Sequence, residues 1–207
     1  MTQNPDLDRA YAMQTRDEAK ALYENWAPSY DIGFAEQQGY QLAREVALAF
    51  VGAGGAGPVL DVGAGTGLVA THLEGLNIGP IDGLDLSGKM LAVAKIKGHY
   101  ANLIEADVTK PLPEAQTYSG IVSAGTFTLG HVGPEGVLSL LDAAQSNALM
   151  VISVNLAHFE SAGFAKLLED LSDRISDLTF KDVRIYDDRA DAAHRDDVAR
   201  LMIFRVT

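Results

Sequence analysis

Three groups of residues stand at spacings that chemistry can use. The first is the run Val59-Leu60-Asp61-Val62-Gly63-Ala64-Gly65-Thr66-Gly67, where an apolar stretch gives way to alternating glycines. Such a loop, placed after a strand and opening a helix, turns tightly and lets a ligand touch the backbone. The second is Asp85 in Gly83-Leu84-Asp85-Leu86-Ser87, 18 residues past Gly67. A carboxylate there accepts hydrogen bonds from both hydroxyls of a ribose. The third is Asp107 in Glu105-Ala106-Asp107-Val108. Each alone has an ordinary explanation, a turn or a helix cap. Together, at the ends of three consecutive strands, they point to a nucleoside pocket. A dinucleotide loop of the form G-x-G-x-x-G would put its third glycine at residue 68, which is Leu68 here. Lys89 is the one basic residue that closely follows Asp85, so an additional phosphate is not provided for. The glycine position argues against a nicotinamide-dependent oxidoreductase, which stays the alternative together with a non-catalytic binding module.

Positioning these residues requires a parallel sheet. Short apolar runs at 58–62, 81–86, 102–106, 120–124 and 148–154 read as buried strands. Segments 66–76, 87–97 and 134–144 between them read as helices, with Ser87 as an N-cap and Gly98 as a C-terminal stop. That alternation predicts a doubly wound α/β sheet with its ligand loops along one edge. Ahead of the glycine-rich stretch 52–57, residues 15–27 and 38–51 read as helices. After the fifth strand, 160–175 reads as a helix with Phe164, Leu167, Leu168 and Leu171 facing inward. Strand-like stretches 178–186 and 199–206 have no sheet-crossing helix between them, so they are expected to pair antiparallel at the sheet edge. The expected organisation is N-terminal helices and a lid over 1–52 and one compact ligand-binding unit over 58–207.

Composition narrows the function classes. A chain of 207 residues with 47% hydrophobic and 21% charged residues is an ordinary globular chain. It has no cysteine, which removes disulfides, cysteine zinc sites, iron–sulfur clusters and a thiol nucleophile. A net charge of −12 and the lack of any Lys/Arg run disfavour nucleic acid and anionic membrane as partners. Residues 1–8 are polar, so no signal peptide is expected, and no apolar run approaches the ~18 residues of a membrane span. A cytoplasmic protein is expected.

With these residues in hand, the sequence resembles the class I S-adenosylmethionine-dependent methyltransferases. The resemblance rests on Asp61-x-Gly63-x-Gly65-x-Gly67 followed by Asp85. It extends to Trp26-Ala27-Pro28-Ser29-Tyr30-Asp31 and to the run from Leu84 to Leu91, and covers nearly the whole chain. It is closest to the small-molecule methyltransferase-like group typified by the Williams–Beuren-region protein. The resemblance implies a Rossmann-like seven-stranded sheet, S-adenosylmethionine as cofactor and a small-molecule methyl acceptor. It also implies roles. Gly63, Ala64, Gly65 and Gly67 would pass beneath the methionine part, Asp61 would orient its ammonium, and Asp85 would hold the ribose. Leu86 and Met90 would cover the adenine, Asp107 and the Val108 amide would read its edge, and Ala124 would close the methionine end.

An acidic pocket without basic residues suits a sulfonium cofactor that carries no phosphate. Its carboxylate needs a donor, for which Arg44 is the candidate, the alternative being a solvated partner of Glu45. Tyr30 and Tyr40 are candidates for a lid, with Trp26 as its anchor; alternatively all three pack helices on the sheet. The acceptor belongs beyond the fourth strand, in the segment Ser123 to His131. This segment lacks the acid, amide or Ser followed by Pro-Pro-aromatic of enzymes that methylate amino groups of bases or amide side chains. His131 is the candidate general base, or else a turn residue before the helix near Pro134. His158 is a weaker candidate, His72 and His99 read as surface residues, and His194 lies in a solvated acidic loop; no metal site is expected.

Overall fold

The computed structural model describes residues 9, 10, 13, 15–112 and 117–207. Among them, β1 (Val59–Val62), β2 (Ile81–Asp85), β3 (Asn102–Glu105), β4 (Tyr118–Phe127), β5 (Ala144–Asn155), β6 (Ile175–Arg184) and β7 (Val198–Val206) form one sheet. Their order is β3-β2-β1-β4-β5-β7-β6. Strands β1 to β5 run parallel, and β7 is antiparallel to both β5 and β6. The antiparallel pair stands at the end of the sheet, as the sequence implies; β7 is its inner strand and β6 its outer one. After β1 the chain steps outward through β2 and β3, then returns to place β4 on the other side of β1. Strand order therefore reverses between β1 and β4, and a crevice opens there at the carboxyl ends of the strands.

Helix α1 (Arg16–Trp26) is started by a capping box: the Thr15 hydroxyl accepts from Glu18 N–H and the Glu18 carboxylate accepts from Thr15 N–H. Residues 38–51, expected as one helix, begin differently. The chain passes Trp26 through a 3₁₀ turn (Ala27–Ser29) into a π-helical turn (Asp31–Glu36), and α2 (Leu42–Gly52) starts only after Tyr40 has bridged to Tyr186. Helices α3 (Leu68–Gly75), α4 (Gly88–Lys97) and α5 (Glu135–Ala143) follow the expected alternation, with Ser87 capping α4 and Gly98 ending it at φ +75°. The helix expected over 160–175 is two short ones, α6 (Leu156–Ser161) and α7 (Phe164–Asp170), broken at Gly163 with φ +87°. Of the expected inward face, Phe164, Leu168 and Leu171 are buried and Leu167 is half-buried against the same core, whereas the break at Gly163 and the start of β6 at Ile175 depart from the expectation.

Both faces of the sheet are covered. On one, Phe127, Met150, Phe204, Leu140 and Phe164 pack together; on the other, Val46 and Phe50 of α2 and Leu73 of α3 pack on Val122 and Leu201. Burying each such side chain contributes about 1.5–3 kcal/mol. The N-terminal helix α2 thus shares a core with the sheet. Among the described residues, no helix is long and apolar enough to cross a membrane.

Candidate active site

The crevice at the strand ends widens into a cavity of about 1330 Å³, its open mouth included. Gly63, Gly65, Asp85, Leu86, Met90 and Val108 line one half of it, and Ala124, Gly125, Thr126, Ser153 and Asn155 the other. Tyr23, Trp26, Tyr30 and Phe34, from α1 and the segment after it, line it as well.

The glycines of the loop are there for different reasons. The Gly63 and Ala64 N–H groups both donate to the Leu84 carbonyl (2.8 and 2.9 Å), which turns the chain back over β2. A Cβ on Gly63 would lie 1.8 Å from Thr126 Oγ1, so glycine lets β4 close on the loop. At Gly65, φ is +53° and nothing but the Gly63 carbonyl, 3.9 Å off, lies within 4 Å of a Cβ position. The space beside it is open and faces the cavity. Gly67, at φ +90°, precedes the first turn of α3.

Asp85 is fastened in place. One carboxylate oxygen accepts from Gly65 N–H and the other from Ser87 N–H, both at 2.8 Å. It thereby ties the glycine loop to the end of β2. Burial raises its pKa against the pull of those bonds. Asp107 accepts from the Thr109 N–H (2.9 Å) and hydroxyl (2.7 Å), and both it and Val108 line the cavity. Asp61 is fully buried behind the loop. Tyr100 O–H donates to its Oδ2 at 2.6 Å, while its Oδ1 is buried without a hydrogen-bond partner. Burial dominates and raises this carboxyl to about 7.

Arg44 requires a correction. It sits on the outer side of α2, 59% exposed, and donates to the Glu45 carboxylate at 3.2 Å. The inward face of α2 is occupied by Ala43, Val46, Ala47 and Phe50, which turns Arg44 away from the cavity. Lys20 is the one Lys or Arg among the described residues on the cavity wall, and it pairs with Glu105 at 3.2 Å.

The structure brings Tyr30 and Tyr40 to the cavity together with Tyr23, Trp26, Phe34 and Tyr186. Their rings touch in sequence: Trp26 to Tyr30 at 5.2 Å, Tyr30 to Phe34 at 5.0 Å, Phe34 to Tyr40 at 5.7 Å and Tyr40 to Tyr186 at 6.0 Å. Trp26 is both anchor and wall. Sequence reasoning passed over Tyr23, Phe34 and Tyr186; aromatic spacing along 23–40 was a signal for the first two, and nothing local marked Tyr186.

His131 does reach the cavity. Its ring stands edge-on to Tyr23 at 5.5 Å, and burial, outweighing a hydrogen bond with the Ala10 backbone, lowers its pKa to about 4. It is therefore a neutral and weakly basic imidazole at neutral pH. His158 is buried beneath this segment, its Nε2 donating to the Val132 carbonyl at 3.0 Å. His99 pairs with Glu74 and His194 with Asp197, and no group of ligating side chains for a metal occurs among the described residues.

Residues 59–148 match the methyltransferase domain family. A human protein, methyltransferase-like protein 27, is 28% identical over 159 residues, a match that takes in 74% of this chain and 64% of that protein's length. The chain thus spans just under two thirds of that relative. The fold is shared with magnesium protoporphyrin IX methyltransferase from Synechocystis PCC 6803, solved with bound S-adenosylhomocysteine (17% identity, 93% of this chain and 97% of that one, TM-score 0.61). It is shared also with the [4+2]-cyclase SpnF (16% identity, 93% and 97% coverage, TM-score 0.66). Together these likenesses show a Rossmann-like α/β fold, with the match to the methyltransferase domain confined to residues 59–148.

Proposed function

We propose that this protein is an S-adenosylmethionine-dependent methyltransferase acting on a small-molecule acceptor, of the small-molecule methyltransferase-like group named above. The observation that carries the proposal is Asp85: a carboxylate at the end of β2, held by Gly65 and Ser87, facing a cavity whose neighbouring walls are Leu86, Met90 and Val108. That is the combination a nucleoside needs, a bidentate acceptor for a ribose beside apolar faces for a base. The open space at Gly65 and the half-satisfied Asp61 carboxylate fit the cationic amino-acid end of the same molecule.

When bound, the cofactor supplies an electrophilic methyl group on a sulfonium. The chain's own part is to orient and to exclude water. Asp85 sets the position along the sheet, Asp107 and Val108 bound the far end, and Ala124 bounds the near end. Tyr23, Trp26 and Tyr30 help close the site with apolar surface, which favours displacement over hydrolysis. His131, neutral at pH 7 and a weak base, is the candidate to accept a hydrogen bond or a proton from the methyl acceptor. The SpnF likeness favours keeping one alternative, a fold of this kind that catalyses a different reaction.

Calorimetry with S-adenosylhomocysteine and NADH tests the proposal. Binding of S-adenosylhomocysteine, with no NADH binding at the same concentration, is expected. Preference for NADH would sink it. Turnover of S-adenosylmethionine with an acceptor distinguishes an enzyme from a cofactor-binding module.

A further inference from the structure

The ends of β3, β2 and β1 span two strand spacings, about 10 Å, and suffice for the nucleoside end of the cofactor. The ends of β4, β5, β7 and β6 span three, roughly 14 Å, and bear no carboxylate, Lys or Arg on the cavity wall among the described residues, His131 being there as a neutral imidazole. We infer that this second half is an acceptor subsite for an uncharged, ring-bearing molecule, and that it discriminates against ligands carrying a net charge. The inference rests on the proposed cofactor site lying in the first half.

The wall explains the selectivity. Phe34, Tyr40 and Tyr186 form a triangle of rings, with centroids 5.7–6.0 Å apart, on one side. Leu42, Ile185 and Ala199 continue it with aliphatic surface. The Tyr40 hydroxyl presses on the end of β4, 2.9 Å from where a Cβ on Gly125 would be, and burial raises its pKa, so it stays un-ionised.

The polar groups of this half are largely committed to the protein. Thr126 O–H donates to the Val62 carbonyl at 3.0 Å, and Ser153 Oγ accepts from Gly125 N–H at 3.0 Å. Asn155 Oδ1 accepts from His158 N–H at 3.3 Å. A ligand therefore meets ring faces, aliphatic carbon and a few hydroxyls. A charge placed there loses water and meets no counter-charge, a loss that ring faces offset only in part for a cation. A flat neutral body loses nothing comparable and gains stacking and burial.

Three probes built on one phenol measure this: 4-hydroxyphenylacetamide, its carboxylate isostere 4-hydroxyphenylacetate, and tyramine, whose side arms are neutral, anionic and cationic. Calorimetry is run on the protein loaded with S-adenosylhomocysteine and on the unloaded protein. The neutral amide is expected to bind at least ten-fold more tightly than either charged probe. In Thr128→Lys, which adds a cation to the wall, the carboxylate probe is expected to gain at least ten-fold, with the melting temperature monitoring the fold. Equal or tighter binding of tyramine or the carboxylate to the unaltered protein, or binding of none of the three, overturns the inference. Failure to bind S-adenosylhomocysteine overturns the proposed function instead, and the probe ranking on unloaded protein still decides the subsite.

Discussion

The Asp31 carboxylate accepts a hydrogen bond from the Thr66 hydroxyl at 2.5 Å, across 35 residues of sequence, and its other oxygen meets Lys97 Nζ at 2.5 Å. Asp31 directly follows Tyr30, a cavity residue, and Thr66 lies between Gly65 and Gly67. One side chain therefore fastens the segment over the site to the loop beneath it and to the end of α4. Asp31→Ala is expected to speed release of S-adenosylhomocysteine by about ten-fold, the worth of one charge-assisted hydrogen bond. Thr66→Ser keeps the hydroxyl and is expected to release at the original rate. Stopped-flow release that is unchanged in folded Asp31→Ala would show that the segment is held by its rings alone.

Asp85→Ala removes both the ribose acceptor and the tie between Gly65 and Ser87. Affinity for S-adenosylhomocysteine is expected to fall by roughly 1.5–3 kcal/mol. The melting temperature is expected to fall too, because two backbone N–H groups lose a charged partner. Calorimetry and thermal melts on one preparation check both effects; unchanged affinity with a lowered melting point would leave Asp85 a loop tie only.

Asp61 makes stability depend on pH. Its carboxyl is raised from 3.8 to about 7 in the folded protein, chiefly by burial. The folded state thus holds this proton after the unfolded chain has lost it. The contribution is fully present below about pH 4 and is lost as pH rises through 7, on the order of 4 kcal/mol across the window. Asp61→Asn is expected to flatten that slope and to be more stable than the parent at pH 8, while binding the cofactor less tightly. Denaturant melts between pH 5 and pH 8 measure it; identical slopes in the two proteins would place the titration elsewhere.

His131 has its pKa lowered to about 4, chiefly by burial. If it takes the acceptor's proton, kcat/KM should show no inflection from this group near 6.5, and its contribution should be lost only as pH falls towards 4. His131→Ala is then expected to reduce kcat by ~10²–10⁴-fold with cofactor affinity unchanged, and His131→Gln to restore little. Full recovery in the glutamine variant would make it a positioning residue.

What the sequence made legible is what short-range chemistry encodes. The glycine loop, Asp85, the Ser87 cap and the stop at Gly98 each depend on backbone within a few residues, and each stands where the sequence put it. The break at Gly163 was hidden because Phe164, Leu168 and Leu171 keep a helical period, which one glycine does not disturb in sequence. The charge of Arg44 suits a carboxylate, but its helix face points outward because Ala43, Val46, Ala47 and Phe50 take the inward one. Tyr186 reaches the site through a bridge to Tyr40, 146 residues away in the chain, and a contact of that range leaves no local mark.

The inner position of β7 has a consequence in time. Strand β5, with Met150, Val151 and Ile152 wholly buried in the finished sheet, gains its second neighbour only from β7. The ribosome must add 43 residues after Asn155 before Val198 exists. At ~5–20 residues per second, that leaves an apolar strand with an open edge for seconds. The middle of β5 thus needs shielding during synthesis, as does β1, whose second neighbour β4 begins 56 residues after Val62.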